Sequence, residues 1–151
     1  MAGLVAGVRL AQGGRRPIVL EKSTELDYLC NSRMTGGALH GCGVSLGQAD
    51  PALAEGVIAD GPRVVRFLLE HGVAITTGEN HPGIACTLQP PAVTPEGYAW
   101  KDRGGDRMMR RLEARLVELG GLLLRGHEAQ HLMADRNRIR GCSGTTFRGE
   151  K

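Results

Sequence analysis

The stretch from Met1 to Glu21 constrains the fold more than any other part of the sequence. In "MAGLVAGVRLAQGG", Leu4, Val8 and Ala11 share one helical face with Val5 beside them, and Gly13-Gly14 ends the helix. Arg15, Arg16 and Pro17 turn the chain into Ile18-Val19-Leu20, an apolar triplet that reads as a short strand buried on both faces. Glu21 then stands at the carboxyl end of that strand, which is where open α/β sheets bind ligands. A helix that starts at a glycine, followed about 20 residues later by a strand ending in an acid, is the second half of a dinucleotide-binding βαβ unit. In that unit the acid accepts a hydrogen bond from a ribose hydroxyl, and a glycine lets helix and strand pack closely. Gly3 and Glu21 fit these two roles. The spacing fits an ordinary helix–strand pair with a solvated glutamate equally well.

Downstream, Asp50 is an N-cap and Pro51 a first-turn residue, and Pro62 repeats the device. The pattern predicts two short helices joined near Gly61 and ending at Gly72. The segment "TTGENHPGIACTLQPPAVTPEG" carries four prolines and little periodicity, so 78–100 is expected to be a long loop, either functional or a disordered connector. "GGDRMMRRLEARLVELGG" is the clearest helix. Met108, Met109, Leu112, Leu116 and Leu119 form its apolar stripe, and Arg107, Arg110, Arg111 and Arg115 cover the rest as a solvated face. "LLLR" then reads as a parallel strand. The last segment alternates around Asp135-Arg136-Asn137, a hairpin turn with positive φ expected at Asn137.

Composition narrows the function classes. A chain of 151 residues has one domain's length and buries a real core. Aromatic content of 3% argues against a stacking surface for single-stranded nucleic acid, and a net charge of +3 is too mild to imply a polyanion partner. No apolar run reaches membrane-spanning length, and the N-terminus lacks a signal-peptide pattern, so the expected location is the cytoplasm. Cys30, Cys42, Cys86 and Cys142 are scattered without a C-x-x-C pair and read as reduced thiols. His127 and His131 share helical spacing but lie in a segment read as strand, so no metal site is expected.

The order Ala2-Gly3, "VLEK", "CNSRMTGG", "GGDRMMRRLEARLVELGG" and "AQHLMADRNRIRGC" resembles the FAD-dependent oxidoreductase 2 family. These are the flavoproteins of the fumarate reductase and succinate dehydrogenase type, with ketosteroid and tricarballylate dehydrogenases among their soluble relatives. The resemblance spans the chain except for the proline-rich segment. It implies an α/β fold: a Rossmann-like FAD-binding domain over 1–151, incomplete for want of its first strand, with a small β-hairpin or meander near the C-terminus. Measured against the family, the chain reads as truncated at both ends. The first strand, the first two glycines, the capping domain and the last glycine-rich segment have no counterpart.

The resemblance also implies site roles. Glu21 holds the adenosine ribose with Lys22 adjacent, and Ala2 and Gly3 belong to the glycine fingerprint. Asn31, Ser32, Gly36 and Gly37 run along the pyrophosphate and flavin, where small residues let the backbone approach closely. Ala129 faces the adenine. Leu29-Cys30 stand where two glycines are usual. Arg33, Thr35 and His40 face either the flavin or solvent. FAD and a small-molecule substrate are the implied partners, and the implied reaction is hydride transfer to or from a C–C bond beside a carboxylate or ketone. No catalytic residue maps onto this chain, which is expected to be inactive alone. The alternatives are a non-catalytic nucleotide-binding remnant, an unfolded fragment, or a basic helical module for nucleic acid.

Overall fold

The computed structural model describes residues 1–39, 50–81 and 84–147. The fold is mixed α/β, with three helices and four two-stranded sheets among the described residues. The chain divides into two units, Met1–Leu29 with Glu113–Lys151, and Cys30–Leu112.

In the first unit, α1 (Ala2–Gln12) buries Leu4, Gly7, Val8 and Ala11, the face expected from the sequence. It packs on β1 (Ile18–Glu21), which pairs in parallel with β6 (Leu122–Arg125) from Ile18↔Leu122 to Glu21↔Arg125. The expectation of burial on both faces fails. Ile18 is 58% exposed, and Val19 to Glu21 are half-buried. The close helix–strand approach also falls one turn later than expected. A Cβ on Gly3 would meet Val19 Cγ1 at an ordinary 3.8 Å, whereas one on Gly7 would lie 2.9 Å from Val19 Cγ2 and 3.0 Å from Leu116 Cδ1. The unit is completed by a hairpin of β7 (His127–Asp135) and β8 (Arg138–Thr146), closed by the Asp135↔Arg138 pair. Positive φ falls on Arg136, at 53°, and not on Asn137.

The second unit begins with a loop and α2 (Pro51–Glu70). Asp50 caps this helix, its Oδ1 accepting from the N–H groups of Ala52 and Leu53 at 2.9 and 3.1 Å. The two expected helices are one. Ala54, Ile58, Gly61, Val65 and Leu68 follow each other at i+4 and i+3 steps and are half-buried or buried, so one packing stripe runs unbroken past the proline. Pro62 removes one hydrogen bond but sits on the exposed side.

The expected proline-rich loop over 78–100 holds strands instead. β2 (Ile75–His81) pairs antiparallel with β3 (Ile84–Leu88), and β4 (Val93–Thr94) with β5 (Gly97–Tyr98). Pro90 and Pro91 follow β3 and Pro95 sits in the two-residue turn between β4 and β5, so the prolines punctuate the strands without occupying them.

α3 (Gly104–Glu118) starts in the second unit and ends in the first. Met108, Met109, Leu112 and Leu116 are buried as the stripe predicts. All three helices end alike. Gly14, Gly72 and Gly120 take φ of 74°, 74° and 83°. The following residues Arg15, Val73 and Gly121 donate to the carbonyls of Leu10, Leu68 and Leu116 at 3.0, 3.0 and 2.9 Å. This is the Schellman termination, in which a left-handed residue satisfies otherwise unpaired carbonyls and glycine adopts that conformation without strain.

Candidate functional site

The sequence-derived site residues fall into two groups, one per unit. Ala2, Gly3, Glu21, Lys22 and Ala129 lie in the first; Asn31, Ser32, Gly36 and Gly37 lie in the second.

Glu21 closes β1 at its carboxyl end, opposite Arg125 of the parallel neighbour β6. Its Oε1 accepts the Ser23 N–H at 2.8 Å, a local bond that fixes the carboxylate beside the strand's exit. The exit is itself anchored. Gly126, at φ 70°, donates its N–H to the Ser23 carbonyl at 3.0 Å, and a Cβ there would lie 2.5 Å from the Phe147 carbonyl oxygen. Behind it, Glu113 joins two partners. Its Oε1 accepts the Tyr28 hydroxyl at 2.8 Å and its Oε2 pairs with Arg125 Nη2 at 2.7 Å. The Arg125 guanidinium lies 5.3 Å from the centroid of the buried Tyr28 ring. These contacts hold both sides of the β1 exit. Ala2, Gly3 and Lys22 are exposed, and Ala129 is exposed on β7 opposite Gly144.

In the second unit, residues 30–37 form a fixed loop. Arg33 and Met34 donate their N–H groups to the Cys30 carbonyl at 3.0 and 3.1 Å, making one helical turn that carries Asn31 and Ser32. Thr35 Oγ1 accepts the Gly37 N–H at 3.2 Å. Gly37 takes φ 106°, where a side chain is strained, and a Cβ would lie 3.3 Å from the Leu88 carbonyl oxygen. From there the chain runs beside β3: Leu88 N–H donates to the Gly37 carbonyl at 2.8 Å, and Ala38 bridges Thr87. Asn31 and Gly36 are exposed, and Ser32 is half-buried.

Arg33 departs from both sequence readings. Its side chain is fully buried and ion-paired to Asp106, which is equally buried in the first turn of α3. Asp106 Oδ2 also accepts the Asp102 N–H at 3.0 Å and Arg110 Nε at 3.1 Å. Burial raises the Asp106 pKa, but the Asp102 N–H, Arg110 and the Arg33 charge outweigh it and hold the carboxyl below its usual range. The α3 arginines lie on the solvated face expected of them, with Arg107, Arg110 and Arg111 exposed and Arg115 half-buried, and three of them also make bonds. Arg110 binds Asp106, Arg111 Nε donates to the His71 carbonyl at 2.9 Å, and Arg115 pairs with Glu118 at 3.1 Å. His40 and Cys42 lie outside the described residues. Among the described residues no cluster of His, Cys, Asp and Glu has metal-binding geometry, and no helix is long and apolar enough to cross a membrane.

Sequence reasoning missed Gly7, Gly105 and the Arg33–Asp106 pair. Gly7 had a signal, since it stands one turn after Gly3 and next to Val8 on the buried face. Gly105 and Asp106 were visible only as the opening of a helix.

No family model matches the chain, and no curated protein matches it. Among solved structures, the chain is similar to the 3-ketosteroid-delta4-(5alpha)-dehydrogenase from Rhodococcus jostii RHA1 in complex with 4-androstene-3,17-dione. The TM-score is 0.69 at 18% sequence identity, over 97% of this chain. The chain spans 40% of the length of that structure. The likeness establishes a shared fold over that span.

Proposed function

We propose that this chain is part of the Rossmann-like FAD-binding domain of an FAD-dependent oxidoreductase, of the fumarate reductase and succinate dehydrogenase flavoprotein type. The observation that carries the reading is the position of Glu21. It ends a parallel strand packed under a helix through Gly7, and its carboxylate is oriented by the Ser23 N–H. The fold shared with a ketosteroid dehydrogenase supports the same reading.

Each unit carries residues of the kind this cofactor needs. Glu21 accepts hydrogen bonds from the adenosine ribose, with Lys22 adjacent and Ala129 facing the adenine. Ala2 and Gly3, exposed in the first turn of α1, keep that end of the helix free of bulk. The turn carrying Asn31 and Ser32, with exposed Gly36 after it, offers polar groups and bare backbone to the pyrophosphate and flavin, and buried, left-handed Gly37 sets the path of the chain beside β3. When bound, FAD supplies hydride transfer to or from a C–C bond beside a carboxylate or ketone of a small-molecule substrate. The chain's own residues bind and orient it.

Fluorescence titration of the protein with FAD, and separately with riboflavin, tests this reading. Glu21→Ala is expected to weaken FAD binding by about 1–3 kcal/mol, the cost of leaving a polar partner unsatisfied, and to leave riboflavin unaffected because it lacks the adenosine ribose. Equal FAD dissociation constants for the two proteins would return Glu21 to a solvated surface role.

A further inference from the structure

The 30–37 loop is held by other parts of its unit at three consecutive residues. A Cβ on Gly105 would lie 2.6 Å from the Ser32 carbonyl oxygen and 2.9 Å from that of Arg33, so α3 meets the loop backbone directly. The Arg33 side chain runs inward to Asp106, both at 0% exposure. The Met34 carbonyl accepts the Tyr98 hydroxyl. Exposed Asn31 and Gly36 stand on either side of these anchors.

A buried ion pair is weak evidence for stability, because apolar residues of similar volume often replace both partners at no loss. What it adds is direction: a guanidinium and a carboxylate meet in few geometries, while apolar groups meet in many. Asp106 is well placed to supply that direction. It sits at a helix N-terminus, where negative charge is favoured, and its second oxygen is held by Asp102 and Arg110.

We propose that Arg33 and Asp106 are positioning residues that lock the Cys30–Gly37 loop in its cofactor-receiving shape. The proposal rests on the FAD reading given above. The apparent dissociation constant is the intrinsic one divided by the fraction of chains in the competent shape, so a loop that is competent only one time in ten binds about tenfold more weakly.

The test compares the parent, Arg33→Met, Asp106→Leu and the double variant Arg33→Met/Asp106→Leu. Fluorescence titration with FAD, thermal melting and hydrogen exchange of the loop amides are the readouts. Each single variant removes one half of the buried ion pair and is expected to melt early. The double variant still lacks the Asp106 bonds to Asp102 and Arg110, so it is expected to melt above Asp106→Leu, yet to bind FAD about tenfold more weakly than the parent and exchange faster over 31–37. Recovery of both melting and affinity in the double variant would reduce the pair to packing and overturn the proposal. If Glu21→Ala weakens FAD binding while the double variant does not, the FAD reading stands and this proposal falls alone. A parent that does not bind FAD would overturn both.

Discussion

One chemical change, glycine to alanine in a helix, is expected to act with opposite sign at Gly56 and Gly105. Gly56 lies in α2 with nothing within 4 Å of the position a Cβ would take. Alanine there should gain most of the helix-propensity difference, about 0.5–1 kcal/mol. At Gly105 the added methyl would stand 2.6 Å from the Ser32 carbonyl oxygen, 2.7 Å from Thr35 Cγ2 and 2.9 Å from the Arg33 carbonyl oxygen. Two of those atoms are backbone in a loop already pinned by a buried ion pair, so relief requires moving the loop or the start of α3. Overpacking of this kind costs about 1–3 kcal/mol, against a propensity gain that is small in a helix's first turn, and leaves a net loss of about 1–2 kcal/mol. With a urea slope of about 2 kcal/mol per molar, the midpoint falls by roughly 0.5–1 M for Gly105→Ala and rises by roughly 0.3–0.5 M for Gly56→Ala. Trp100, the only tryptophan, lies in the same unit as both sites and reports the transition by fluorescence. A midpoint for Gly105→Ala at or above the parent's would show that the close approach to Ser32 and Arg33 is not a feature of the folded protein.

Two further outcomes follow from the ion pairs. The Asp106 carboxyl is held below its unfolded pKa, so its contribution to stability is complete above the ordinary aspartate value of about 3.9 and is lost as the pH falls through the lower folded value. The stability difference between the parent and Asp106→Asn should therefore shrink between pH 5 and pH 3 in urea titrations, and a constant difference would refute the assignment. Glu113→Ala removes one partner from each of Tyr28 and Arg125, the latter's side chain being 20% exposed, and should cost about 1–3 kcal/mol. Thermal melting followed by far-ultraviolet circular dichroism measures this, and an unchanged melting temperature would count against the cluster.

The elements that the sequence made legible are those set by local chemistry. Gly14, Gly72 and Gly120 stop three helices because a left-handed residue is needed there, and that need is written in single residues. The parallel strands Ile18–Glu21 and Leu122–Arg125 follow from short apolar runs ending at a charged residue. Pro62 misled the reading because a local rule met a longer-range one. The proline would break an isolated helix, but a packing stripe from Ala54 to Leu68 holds the turns on both sides of it in one register. The segment over 78–100 errs in the opposite direction, since Pro90, Pro91 and Pro95 lie outside the strands and leave Cys86 and Thr87 free to pair with Thr77 and Thr76.

For the candidate site, what the sequence made legible is position alone. Glu21 falls at a strand's end, and that place depends on a few neighbouring residues. The orientation of Arg33 depends on a turn that aims the side chain inward and on a carboxylate 73 residues further along. No periodicity links those two positions, and an arginine in a polar loop beside glycines reads by default as a surface or ligand-facing group. The glycines of α3 carried the missing clue. Gly104 and Gly105 have no conformational need for glycine, since neither takes positive φ, and both cost helix propensity in a helix otherwise rich in strong formers. Such residues persist where something else must come close. At Gly104 it is Leu88 and Gln89, and at Gly105 it is the backbone of Ser32 and Arg33. A glycine pair followed by an acid at the start of a well-patterned helix is therefore better read as a surface made for another segment of the chain than as a helix boundary alone.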